Sequence, residues 1–171
     1  MQRAGLLGFG PVFSPHSTAL ILGTYPSSAS FDDGFYYGHP RNRFWPLLAS
    51  LTHDAVPLTR AEKTQLILDN NLALWDILAT CSIQASSDSS IREPVPNNIP
   101  ALVEKTKIRT VFCNGAASFR YCQKYFAHTL PIPFVRLPST SPANAAFSFD
   151  TLCKEWAPLK AHIHPAALSG G

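Results

Sequence analysis

The chain has 171 residues, 46% of them hydrophobic, enough for one globular domain with a sizeable core and too apolar for a disordered or fibrous polypeptide. Its 14 basic and 11 acidic residues leave a formal net charge of +3, which announces neither a polybasic nucleic-acid tail nor a membrane-surface patch but leaves room for a locally basic face. No apolar run approaches the roughly 20 residues of a membrane helix and no leader-like segment opens the chain, so a cytoplasmic protein is expected.

In chain order, residues 1–17, rich in Gly, Pro and Ser, read as an irregular N-terminal arm. A buried strand follows at 18–22, and Gly23 breaks it into a polar, aromatic-rich loop that runs to Asn42. A loop that long inside a compact domain needs a function. Residues 42–51 read as a helix, with Pro46 tolerated in its first turn. Thr59 followed by Glu62 is a capping box, opening a helix to about Asp69 that the Asn70–Asn71 pair stops. A second strand follows at 72–75. The segment 81–98, CSIQASSDSSIREPVPNN, is polar and Pro-punctuated and reads as a loop with at most one ordered turn. Asn98 and Pro100 start a helix over 99–105, and a third strand is expected at 110–113. After Gly115, residues 116–126 carry apolar side chains at helical spacing. A fourth strand at 134–137 ends in the loop PSTSPANA, and a last helix over 148–162 is interrupted at Pro158. Residues 164–171 read as a flexible tail.

Short apolar runs alternating with amphipathic stretches indicate an α/β domain with a parallel sheet. In such a sheet ligands bind beyond the carboxyl ends of the strands. Those ends read GTYPS, Asp76, Asn114–Gly115 and PSTSPANA. The cysteines Cys81, Cys113, Cys122 and Cys153 have no C-x-x-C spacing, so free buried thiols are expected and no metal or cofactor.

The segment YYGHPRNRFW, with GTYPS upstream and LPSTSPANA near the C-terminus, resembles the uracil-DNA glycosylase superfamily. Tyr37 to Trp45 is similar to its mismatch-specific uracil/thymine branch, and the three segments together resemble the hypoxanthine-DNA (deoxyinosine) glycosylase branch. The resemblance implies a three-layer α/β/α fold around a four-stranded parallel sheet of order 2-1-3-4. It also implies a monomeric, monofunctional enzyme that removes hypoxanthine or uracil from DNA in base excision repair. In the mismatch-specific branch an Asn in the loop after the first strand positions the attacking water; Tyr25 stands there in this chain. The hypoxanthine branch instead relies on the Asn of its HPRN segment, which makes Asn42 the expected catalytic residue. Tyr37 matches the aromatic that stacks on the flipped base, and Asp76 and Asn114 match base-edge positions. Residues Pro138, Ser139, Thr140, Ser141, Pro142, Ala143 and Asn144 match the minor-groove wedge.

The chemistry fits these residue types. A base must be extruded from the duplex and held by stacking and hydrogen bonds. Cleaving the N-glycosidic bond builds positive charge on the sugar and negative charge on the base. Backbone N–H groups of Gly23, Thr24 and Tyr25 and the Asn114 amide are candidate donors to that anion. A neutral Asn42 suffices to orient water, and His39, Arg41 and Arg43 are candidate phosphate contacts. No lysine lies in a strand-end motif, so no lyase step is expected. Each residue also has a structural alternative: Asn42 as a helix cap, Tyr37 as a core aromatic, Asp76 and Asn114 as turn residues, the 138–145 loop as a connector. Two other readings compete, a damaged-DNA binding module without turnover and a hydrolase pairing Cys113 with His39.

Overall fold

The computed structural model describes residues 3–4, 6–83 and 91–163. Its centre is a four-stranded sheet made of β2 (Ala19–Gly23), β3 (Leu72–Asp76), β6 (Thr110–Asn114) and β7 (Phe134–Leu137). The order is β3-β2-β6-β7 and every pairing is parallel, so the expected order 2-1-3-4 holds. Alternation along the strands divides the core in two. Ala19, Ile21, Leu72, Leu74 and Phe112 face one cluster, whereas Leu20, Leu22, Ala73, Val111 and Cys113 face the other. Strands apolar on both faces must be covered on both, which is why helices form the two outer layers.

One layer holds α2 (Phe44–Thr52), α3 (Arg60–Asp69) and α6 (Phe149–Glu155), whose Leu48, Ile67, Leu152 and neighbouring Trp156 fill the first cluster. The other holds α4 (Ile99–Glu104) and α5 (Ala116–Phe126), which bring Ile99, Leu102 and Cys122 to the second. The caps are those expected: Thr59 and Glu62 form the reciprocal capping box of α3, and Asn98 accepts from Ala101 N at the start of α4. The chain after α6 continues as a 3-10 turn, Ala157–His162, with Pro158 at its start, the interruption expected there.

Three elements depart from expectation. A short helix, α1 (Ser28–Asp33), occupies the loop after β2; Ser27 caps it and Gly34 ends it at φ 83°. The segment 81–98 holds strand where a loop was expected: β4 (Leu78–Ile83) and β5 (Ile91–Pro96) pair antiparallel, and β1 (Arg3–Ala4) adds to β4, while residues 84–90 lie outside the described residues. Register shifts along the β4–β5 pairing let Pro94 and Pro96 sit in a strand. The arm is therefore not wholly irregular, and its remainder is fastened to the domain. Val12 exchanges two 2.9 Å backbone hydrogen bonds with Leu74, covering the β3 edge. The expected tail at 164–171 lies outside the described residues. Among the described residues no helix is long and apolar enough to cross a membrane.

Candidate active site

Three parts of the chain meet at the carboxyl ends of β2, β3, β6 and β7. The first leaves β2 at Gly23, where the chain cannot carry a side chain: a Cβ would run into the Asp76 carboxylate and approach the Tyr37 hydroxyl to 2.8 Å. Gly23, Asp76 and Tyr37 are thus brought into one place. Thr24 is buried beside them.

Tyr37 adopts a left-handed backbone, φ 54°, uncommon for an aromatic residue. Its surroundings hold it there. Trp45 Nε1 donates to Tyr36 O at 3.0 Å, Gly38 N donates to Ser30 Oγ at 3.0 Å, and the Tyr36 hydroxyl donates to the arm at Gly10 O, 2.7 Å. The Tyr37 ring is backed by Phe44 at a centroid distance of 4.2 Å and 28°. Its hydroxyl is buried and makes no hydrogen bond among the described residues. Burial holds this phenol well above its ordinary pKa; the Asp76 carboxylate adds to the rise and the Asn114 side chain opposes it. Tyr36 is raised in the same way, by burial first and by Asp76 second.

The second part is the HPRN turn. Asn42 N donates to His39 O and Arg41 N to His39 Nδ1, both at 3.0 Å, which folds 39–42 into a tight bend and leaves Arg41 exposed. Asn42 Oδ1 accepts from Phe44 N at 2.9 Å, so the residue does help cap α2. The same oxygen accepts from Thr140 Oγ1 at 2.9 Å.

Thr140, fully buried, belongs to the third part, the loop after β7. Its Oγ1 also accepts from Asn114 Nδ2 and its backbone N donates to Asn114 Oδ1, each at 3.1 Å. One hydroxyl therefore joins the HPRN loop to the end of β6. Gly115 allows the close approach: its φ is 101°, and a Cβ there would meet Ser139 Cβ at 3.2 Å. Elsewhere the loop is built from its own polar groups. Ser141 N donates to Ser139 Oγ, Ala143 N to Ser141 Oγ, and Asn144 Nδ2 to Ser139 O, while Pro138 O accepts from Trp156 Nε1. Ala143 is exposed at the tip, next to half-buried Pro142.

The structure therefore gathers Gly23, Thr24, Tyr37, Asn42, Asp76, Asn114 and Thr140, and places others differently. Tyr25 turns to the arm, its hydroxyl donating to Leu6 O and its ring packing edge-on against Phe31. Arg43 is not a free cation for phosphate. Its backbone N donates to Thr140 O, and its guanidinium donates to the carbonyls of Ser141, Asn144 and Phe147, clamping the 138–147 loop. The Cys113–His39 pairing also fails. Cys113 is fully buried on the α5 face, where its neighbour is Cys122, whose thiol is pushed up by that contact and by burial. Among the described residues no group of three or more His, Cys, Asp or Glu could hold a metal ion. What the sequence did not reveal is the linking role of Thr140, because its partners lie 26 and 98 positions away in the chain.

Known proteins resemble this chain over most of its length. Residues 11–161 match the family model of the uracil DNA glycosylase superfamily. A hypoxanthine DNA glycosylase of Methanosarcina acetivorans is 31% identical over 143 residues, 82% of this chain and 89% of the relative. One of Methanosarcina barkeri is 30% identical over 116 residues, 67% of this chain and 73% of the relative. A solution NMR structure from M. acetivorans, provisionally assigned as a uracil DNA glycosylase, superposes with a TM-score of 0.79 at 29% identity, covering 95% of this chain and 98% of that one. With its parallel sheet, its three strand-end loops and this match, the chain belongs to the uracil DNA glycosylase superfamily.

Proposed function

We propose that this protein is a monofunctional DNA glycosylase of base excision repair, which hydrolyses the N-glycosidic bond of a deaminated base, hypoxanthine or uracil, flipped out of DNA. The observation that carries the reading is the Asn42–Thr140–Asn114 hydrogen-bond chain beside Tyr37 and Gly23, assembled from the three segments that resemble the family and the end of β6. The names of the two Methanosarcina relatives support hypoxanthine as the first substrate to try.

In the net reaction the bond from the base nitrogen to C1′ breaks with its electron pair going to the base. Water oxygen adds to C1′, and the water proton passes to the base. Tyr37, backed by Phe44, supplies the stacking face. Gly23, Thr24, Asp76 and Asn114 surround the base edge, with Tyr25 bracing the loop behind them. Asn42 is the catalytic amide. His39 and Arg41 meet flanking phosphates, and the exposed tip at Pro142 and Ala143 enters the groove. The protein works as a single-domain monomer in the cytoplasm, without a metal or other cofactor.

The test is base release from duplexes carrying inosine, uracil, xanthine or a thymine mismatch. Inosine or uracil duplexes should lose their base, and Asn42→Ala should lower the rate by about 100-fold or more, the range for one preorganised transition-state contact. Absence of release, or full activity in Asn42→Ala, refutes the reading. Tight binding of damaged duplex without turnover would instead favour a binding module, the alternative that Tyr25 at the usual water-positioning place keeps in play.

A further inference from the structure

The orientation of both site amides is dictated by backbone N–H groups, which can only donate. Phe44 N donates to Asn42 Oδ1 at 2.9 Å, and Thr140 N donates to Asn114 Oδ1 at 3.1 Å. Asn114 must therefore turn Nδ2 toward Thr140 Oγ1, 3.1 Å away. That hydroxyl accepts there and sends its own proton on to Asn42 Oδ1 at 2.9 Å. A single donor chain runs from Asn114 Nδ2–H through Thr140 Oγ1–H to Asn42 Oδ1. Asn42 Oδ1 thus receives two hydrogen bonds, one for each lone pair. Asn42 Nδ2, in contrast, makes no hydrogen bond among the described residues.

We propose that Thr140 is a positioning residue that locks Asn42 with its N–H groups toward the cleft, so that Asn42 serves the reaction as a hydrogen-bond donor and not as an acceptor for the proton of the attacking water. This inference rests on the glycosylase reading and departs from the water-orienting role expected of Asn42. As the N-glycosidic bond breaks, the acceptor atoms of the leaving base gain negative charge, and an N–H already in place lowers the barrier without reorganising. Thr140 joins the loop that touches DNA to this donor, since its backbone carbonyl also accepts from Arg43 N at 3.1 Å.

The experiment compares single-turnover release of hypoxanthine from an inosine duplex by wild type, Asn42→Asp, Thr140→Val and Thr140→Ser. Aspartate keeps an oxygen for Phe44 N and the Thr140 hydroxyl, gains a further acceptor, and loses both N–H groups. A donor role predicts a fall of about 100-fold or more for Asn42→Asp in a protein that still melts near the wild-type temperature. Thr140→Val removes the hydroxyl's bonds to both Asn114 and Asn42 and should slow the chemical step by about tenfold, the size of the lost bond to Asn42, with duplex affinity little moved, and Thr140→Ser should recover most of that loss. The side-chain amide signals of Asn42, identified by their absence in Asn42→Asp, should shift in Thr140→Val and return in Thr140→Ser. Near-wild-type release by Asn42→Asp overturns the donor role. Unmoved amide signals in Thr140→Val, or a serine variant no faster than valine, overturns the lock. A wild type that releases no base from inosine or uracil duplexes refutes the glycosylase reading and the donor role with it, leaving the amide signals to decide the lock alone.

Discussion

Tyr37 concentrates the cost of the site in one residue. A positive φ in a bulky side chain costs on the order of 1 kcal/mol or more, and a buried hydroxyl without a partner costs about as much again. Such expense survives where the surrounding structure enforces it, here through Trp45, Ser30 and the arm. Tyr37→Phe should therefore stabilise the fold by about 1 kcal/mol, measured as a higher urea midpoint at constant slope. If the hydroxyl meets the base, the same variant releases base more slowly, so stability and activity move in opposite directions. The sequence could name Tyr37 and Asn42 as candidates but not choose between core aromatic and stacking ring, or between cap and site amide. For Asn42 the structure shows Oδ1 accepting from the first helical N–H, at Phe44, while Nδ2 makes no hydrogen bond among the described residues.

At the scale of elements, the loop after β7 is held from behind by Arg43 at the start of α2. A guanidinium reaching three carbonyls is a fork that a lysine cannot imitate. Arg43→Lys should cost about 2 kcal/mol and loosen the loop, read as faster amide exchange over 138–147 with α3 and α5 unaffected. Sequence inspection counted Arg43 with the phosphate-binding cations because charge in a polar loop looks the same whether its partner is DNA or backbone. The β4–β5 hairpin was missed for a related reason. Ser82, Pro94 and Pro96 are turn-like one by one, and only the pairing of β4 with β5 makes them extended. By contrast, the capping box at Thr59 and the Asn98 cap were legible, since both partners lie within three residues of each other.

For the whole molecule, the chain's last described segment closes on the central sheet, beside the start of β2 and on β6. Thr18 Oγ1 donates to His162 O at 3.1 Å, and the His162 ring packs edge-on against Phe112 at 5.3 Å. Burial, and then the nearby Arg109 charge, hold the His162 imidazole below its ordinary pKa. The folded state thus binds that proton less readily than the unfolded chain. Stability from neutral His162 is fully present above the ordinary value of about 6.5 and is lost as pH falls below it. The urea midpoint should therefore drop as pH falls below about 6.5, and His162→Asn should flatten that drop.

What the sequence by itself determined was the alternation that makes a parallel sheet with helices on both faces, the caps, and the three strand-end segments that resemble a glycosylase. These follow from short-range periodicity and turn chemistry, which one stretch of chain carries alone. Only the tertiary structure decided that Thr140 sits between Asn42 and Asn114, that the Arg43 guanidinium reaches the carbonyls of the 138–147 loop, and that Cys113 faces the core. Those outcomes depend on which loops the β3-β2-β6-β7 order brings side by side, and hydrogen bonds spanning 98 residues leave no local trace.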